Sequence, residues 1–222
     1  VSRLIKGLVV LVVVVGLLQW FVPRWTGSLL TREIGRYDHG PKPQVAVSAV
    51  PFWDLFGGHF QDIYINAHDL ELSSALTVQH AQLNWQNGTV SLGSLEKGKL
   101  KVTNPGHATM SIELTAAELS TFLAHEGTIA HPTVSISPSG VALSGRLLLG
   151  GSYVPLDTKG SLSVSSSRQQ LIFHPTSIDG LNLPVLTDIQ LLNLATMKAL
   201  PMSLKIEHVQ LENQRLVLTV GN

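Results

Sequence analysis

The sequence predicts an α+β protein, mainly antiparallel β, preceded by an N-terminal transmembrane helix. Three observations predict it: an apolar run at the N-terminus, a period of two in the hydrophobic residues that follow, and a capping box marking a helix among the strands. The apolar run comes first. Arg3 and Lys6 precede Gly7 to Pro23, a stretch without charge in which only Gln19 is strongly polar. At ~1.5 Å per helical residue, this run of about 17 residues reaches about 25 Å, slightly less than a hydrocarbon core of ~30 Å. Leu8 to Val15 leave no polar face, which excludes an exposed amphipathic helix.

A cleaved signal peptide and a retained signal anchor both begin in this way. No small-x-small cleavage site follows, since Leu17 to Trp25 is bulky throughout and the nearest small residues are Thr26, Gly27 and Ser28. The expectation is therefore a retained anchor over residues 1–25, with Trp20 and Trp25 at its headgroup end. Arg24, Arg32 and Arg36 after the run offset Arg3 and Lys6 before it. A very short basic tail and a long following domain nevertheless suit a signal anchor. The domain is expected outside the cytoplasm, on a single-pass N-terminal anchor in the cell membrane.

Residues 26–43 read as a short helix and linker. Ser28 to Arg36 can continue the helix, and Gly40-Pro41-Lys42-Pro43 ends it. Residues 44–222 read as one β-rich domain. Val45, Val47 and Ala49 alternate, as do Ile63 and Ile65, then Met110, Ile112 and Leu114, with polar residues often between them. Val134 and Ile136, Val141 and Leu143, Leu147 and Leu149, Leu162 and Val164, and Leu216, Leu218 and Val220 continue the pattern. Such alternation marks half-buried antiparallel strands. Asn87-Gly88, Asn104-Pro105-Gly106, Pro138-Ser139-Gly140 and Gly150-Gly151 divide them as turns.

Two helices are expected within this domain. Thr115-Ala116-Ala117-Glu118 is a capping box, in which hydroxyl and carboxylate each satisfy a free backbone N–H. Leu119, Phe122 and Leu123 form its apolar face, and Gly127 is a stop. A second helix is expected from about Val185 to Leu200, between Pro184 and Pro201, with apolar residues on more than one face.

Composition narrows the function. Charged residues make up 14% of the chain, and 15 basic residues balance 15 acidic ones, so nothing favours capture of nucleic acid. The absence of cysteine excludes disulfides, thiol catalysis and thiolate metal sites. Nine histidines are scattered without any short metal-ligand pair, and they read as solvated or hydrogen-bonded side chains; no metal or cofactor is expected. No G-x-S-x-G elbow or G-x-G-x-x-G loop occurs. Ser94-Leu95-Glu96-Lys97 fits S-x-x-K without its companion motifs, and Gly93 to Lys99 fits a P-loop with Leu100 where Ser or Thr belongs. No catalytic residue is named, and the protein is read as a non-enzyme.

One connection stands out. Pro51-Phe52-Trp53-Asp54-Leu55-Phe56-Gly57-Gly58-His59-Phe60 holds four aromatics in a chain whose aromatic content is 6%. These rings can plug one end of the β core. They can also form an apolar lip that admits a lipid chain or meets the bilayer interface.

Val45 to Leu72, with Val-Pro-Phe before Leu-Phe-Gly-Gly-His-Phe and the strand Asp-Ile-Tyr-Ile, resembles the opening signature of the LmeA-like phospholipid-binding proteins. Ile112 to Leu123 is similar to that family's central motif. Gly180-Leu-Asn-Leu-Pro184 and the closing hairpin Leu204 to Val220 are similar to its end. The similarity runs through the whole chain after the anchor, with Val50 standing where the family has Phe. The resemblance implies a tubular lipid-binding (TULIP-like) fold, in which a curved antiparallel sheet wraps one or two helices. It implies an extracytoplasmic protein that binds or transfers phospholipid, or a related envelope lipid, in maintenance of the cell envelope. Phe52, Trp53, Leu55, Phe56, Phe60, Leu119, Phe122 and Leu123 are then the candidate lipid-binding residues. The alternatives are an envelope structural or protein-interaction domain with a solid β core and an unknown protein partner, and an envelope hydrolase whose site is assembled from distant residues.

Overall fold

Alternation of apolar and polar residues places the apolar side chains of each strand on one face, and pairing of those strands builds the domain. The structure is a computed structural model. It describes residues 15, 17, 19, 22, 24–28, 30–32, 35, 40–95, 97, 99–127, 129–149, 151–178, 188–197, 200 and 202–222. In chain order the strands are β1 (Gln44–Ser48), β2 (Asp62–Ser73), β3 (Leu76–Gln86), β4 (Thr89–Val90), β5 (Val102–Asn104), β6 (His107–Thr115) and β7 (Ile129–Ser137). They continue with β8 (Gly140–Leu149), β9 (Ser152–Val164), β10 (Gln170–Ile178), β11 (Ile189–Asn193), β12 (Lys205–Glu212) and β13 (Arg215–Gly221). A six-stranded sheet has the order β1-β2-β3-β6-β13-β12 and a five-stranded sheet the order β11-β10-β9-β8-β7, with β4 and β5 paired apart from both. All of these pairings are antiparallel. Asn87-Gly88 and Pro105-Gly106 fall between strands, Pro138-Ser139 leads from β7 into β8, and Gly151 precedes β9.

The sheets curl, and one reason is local. In β2 the inward residues are Ile63, Ile65 and Ala67, then Leu70 and Leu72; in β3 they are Leu76 and Val78, then Ala81, Leu83 and Trp85. Both strands change parity around the same rungs, His68↔His80 and Leu70↔Val78. Asp69, between them, has a left-handed φ of 53°. Asp tolerates this conformation better than most residues, and it lets the far end of the hairpin turn its opposite face inward.

The central helix, Ala116–Glu126, has the expected capping box. Thr115 Oγ1 accepts the Glu118 N–H at 3.2 Å, and Glu118 Oε2 accepts the Thr115 N–H at 2.6 Å. Gly127 ends it in the left-handed conformation with φ 74°. Ala116, Leu119 and Leu123 are buried, mostly against β7 and also against β3 and β6. The Val134 N–H donates to Ser120 Oγ at 2.8 Å, tying helix to strand. The β12–β13 hairpin joins the sheets: the Ile206 N–H donates to the Arg168 carbonyl at 2.6 Å, and the Gln214 N–H to the Ile136 carbonyl at 2.9 Å.

One expectation falls mostly outside the described residues, and one needs correction. Among the described residues no helix is long and apolar enough to cross a membrane. Residues 1–14 of the expected anchor lie outside the described residues, and its later part is engaged with the domain. Residues 24–28 and 30–32 are helical, and Val22, Thr26 and Leu30, spaced by four, are buried on one face. A Cβ on Gly27 would lie 3.6 Å from the Val45 carbonyl oxygen and 3.8 Å from Val47 Cγ2, so this helix lies along β1. The helix expected near 185–200 is the correction. Residues 179–187, 198 and 199 lie outside the described residues, but Ile189–Asn193 is β11 and Leu194–Thr196 a single 3₁₀ turn. Pairing with β10, Leu171↔Leu192 and Ile172↔Gln190, claims this segment for the sheet.

Candidate functional site

The aromatic connection is a 3₁₀ helix, Phe52–Gly57. With three residues per turn, positions i and i+3 eclipse, so Phe52 and Leu55 share one face and Trp53 and Phe56 another. The first face is buried in the core, whereas Trp53 is 55% and Phe56 63% exposed. Phe52 supports both exposed rings edge-on, with centroids 5.4 Å from Trp53 and 5.9 Å from Phe56. Such T-shaped contacts suit the aromatic quadrupole. Val50, just before the turn, is 61% exposed, so the outer face of the connection is apolar.

This tip is held firmly. Gly58 ends the turn with φ 77°, and a Cβ there would collide with the Val90 carbonyl oxygen. The Gly58 N–H donates to the Leu55 carbonyl at 2.9 Å and the Val90 N–H to the Gly58 carbonyl at 2.9 Å. Gln61 Nε2 donates to the Val50 carbonyl at 2.9 Å. On the other side Gln19, from the N-terminal apolar run, donates through Nε2 to the Ala49 carbonyl at 2.5 Å and accepts the Phe52 N–H on Oε1 at 2.9 Å. The one strongly polar residue of that run thus satisfies backbone groups at the root of the aromatic tip.

Phe60 departs from the group. It is 1% exposed and meets Trp85 edge-on at 4.6 Å. The Trp85 Nε1–H donates to the Pro105 carbonyl at 2.5 Å. Leu119 and Leu123 are buried in the same core from the central helix, and Phe122 is half-buried against it. The eight candidates therefore divide three ways: Trp53 and Phe56 at the surface, Phe122 at the margin, and Phe52, Leu55, Phe60, Leu119 and Leu123 inside.

A polar row outside this set escapes a sequence reading. Ser163 Oγ lies 2.5 Å from His174 Nε2, and Asp188 Oδ1 lies 2.5 Å from His174 Nδ1. Serine on β9, histidine on β10 and aspartate just before β11 are linked in the order nucleophile, base, orienting carboxylate. Their separation in sequence hides them; only the pairing of β9, β10 and β11 brings them together. The row is partly open to water, with His174 37% and Asp188 58% exposed at the side chain. Ser163 sits within a strand, paired with Ile172, and not on a turn or at a helix N-terminus that would aim N–H groups at an oxyanion. As it stands the row fastens three strands. A second polar group, on β2, β3, β6 and β13, stacks His68 on His80 at 4.7 Å and links His80 to Asn66 and Glu113, and Glu113 to Arg215. Glu212 and Glu113 raise the Arg215 pKa above its ordinary value and hold it charged. Among the described residues no group of three or more His, Cys, Asp or Glu could hold a metal ion.

The geometry is that of an apolar interior bounded by two sheets and one helix, with a rigid aromatic tip at the edge where β1 and the N-terminal helix meet. Comparison with curated proteins and with solved structures finds no match. The family comparison does: the LmeA-like phospholipid-binding family matches residues 21–221, from the packed N-terminal helix to the last strand, and the chain belongs to that family.

Proposed function

We propose that this protein is an extracytoplasmic, membrane-attached carrier that takes a phospholipid, or a related envelope lipid, into its apolar interior without catalysis. The observation that carries the reading is membership of a phospholipid-binding family over residues 21–221. The fold supports it, since curled antiparallel sheets around a central helix are what a tubular lipid-binding domain requires. The inner faces are aliphatic, from Ile63, Met110, Ile112 and Leu114 on one sheet to Ile136, Leu143 and Leu171 on the other. Removing acyl-chain surface from water at roughly 25 cal/mol per Å² would supply the affinity. Attachment rests on the basic-flanked apolar run before Pro23. Native mass spectrometry of the purified chain tests the proposal. A co-purifying phospholipid supports it; an apo mass with no uptake from vesicles leaves an envelope interaction domain with a solid core.

One observation favours a second reading, a lipid hydrolase: the Ser163–His174–Asp188 row. In that case the bound lipid should be turned over on incubation, and Ser163→Ala should stop the turnover. A lipid that stays intact in the wild-type chain disposes of this reading.

A further inference from the structure

We infer that Val50, Trp53 and Phe56 form a membrane-docking tip that enters the headgroup–acyl boundary of the bilayer to which the N-terminal run is attached. The inference takes that attachment as its premise and adds an orientation and a contact surface.

Three observations on different residues converge. The first is the tip's composition. Val50, Trp53 and Phe56 present apolar surface to solvent from one short connection, while the other half of the same turn is buried. An aromatic-poor chain gains nothing for folding by exposing a tryptophan and a phenylalanine side by side, whereas amphipathic rings favour the membrane interface.

The second observation is position. Gln19 is hydrogen-bonded to Ala49 and Phe52, on either side of the cis Val50–Pro51 peptide. Gln19, near the end of the apolar run, therefore meets the domain at the root of the tip. Leu17, two residues before Gln19, is 62% exposed. Any bilayer that holds the residues before Leu17 lies against this end of the domain.

The third observation is rigidity. Gly58, Val90, Gln61 and Gln19 fix the backbone of the connection from several sides, and Phe52 braces both exposed rings. A pre-set wedge spends little ordering entropy on entering the bilayer. The occupant is a lipid surface rather than a protein partner, because the same end of the domain is continuous with the membrane-seeking run.

The chain contains no cysteine, so single thiols report single positions. Phe56→Cys and, on the other sheet, Tyr153→Cys would each carry a nitroxide in the full chain, reconstituted with phosphatidylcholine vesicles containing phosphatidylglycerol. Power-saturation spectroscopy should place the label at 56 in contact with dissolved oxygen and shielded from a water-soluble nickel chelate, with the label at 153 in water. Tryptophan emission should shift to the blue on vesicle addition, and the shift should be smaller in Trp53→Phe, the remainder belonging to Trp20 and Trp25 beside the attached run. In the full chain labelled at 56, Trp53→Ser should raise the accessibility of the label to the nickel chelate severalfold, with the fold retained by circular dichroism. Vesicle-bound protein whose label at 56 remains open to the chelate would overturn the tip and leave attachment standing. Absence of vesicle binding would overturn both, whatever native mass spectrometry reports about lipid in the interior.

Discussion

Phe56 and Phe60 lie four positions apart and carry opposite burdens. Phe60 packs edge-on against Trp85 in the core, while Phe56 stands in solvent on the outer face of a 3₁₀ turn. Phe60→Ala should therefore cost about 3–5 kcal/mol, as buried Phe truncations do. Phe56→Ser should change stability by no more than about 0.5 kcal/mol, the usual range at a surface site. Denaturant unfolding of the two variants measures the difference, and comparable losses would show Phe56 to be part of the core. Gly58 is the hinge of this arrangement. Gly58→Ala places a Cβ against the Val90 carbonyl in a left-handed backbone, so a loss of more than ~1 kcal/mol is expected in the same assay. The sequence shows that aromatics gather between Pro51 and Phe60 but not which of them face inward. That depends on the three-residue period of the turn, since four residues per turn would put Phe56 in place of Leu55 beside Phe52.

At the scale of elements, what was legible followed from short-range chemistry. The capping box Thr115–Glu118, the stop at Gly127, and the strands through Met110–Leu114 and Leu216–Val220 depend on neighbours within a few positions. What was not legible needed partners. Around His68 and His80 the inward parity of β2 and β3 switches, so neither strand shows one unbroken alternation. Ile189 to Met197 is apolar on several sides, a pattern that fits an enclosed helix or a strand covered on both faces; the edge offered by β10 decides for the strand. The apolar N-terminal run reads as an anchor from its own composition, and its packing against β1 becomes apparent only when Val22, Thr26 and Leu30 are seen buried together. That packing has a consequence. A chain beginning at Val15 should keep the stability of the full chain, whereas one beginning at Gly27 loses both Gln19 hydrogen bonds and the burial of Val22. The shorter chain should be less stable by about 3.5 kcal/mol, at ~1 kcal/mol per hydrogen bond and ~1.5 for the side chain. Urea midpoints of the two truncations decide whether the helix is structural.

For the whole molecule, two arrangements of the same aliphatic residues compete: a core that is complete by itself, and one that is completed by an acyl chain. Both bury Ile112, Leu114, Leu119 and Phe173, so burial does not separate them, but linkage does. A ligand that binds only the folded state stabilises it by RT ln(1 + [L]/Kd), about 2.7 kcal/mol at a hundredfold excess over Kd. In a domain of this size each kcal/mol moves the melting temperature by roughly 2–4 °C. A delipidated chain given a short-chain phospholipid below its micelle concentration should therefore melt about 5–10 °C higher at saturation. The increase should survive Trp53→Ser and Phe56→Ser, since those rings face outward and act, on the reading above, at the membrane and not in the interior. A melting temperature that does not respond to lipid at any concentration would mean that the sheets and the central helix already fill the interior. If the response disappears with the two serine variants, the lipid is held at the tip.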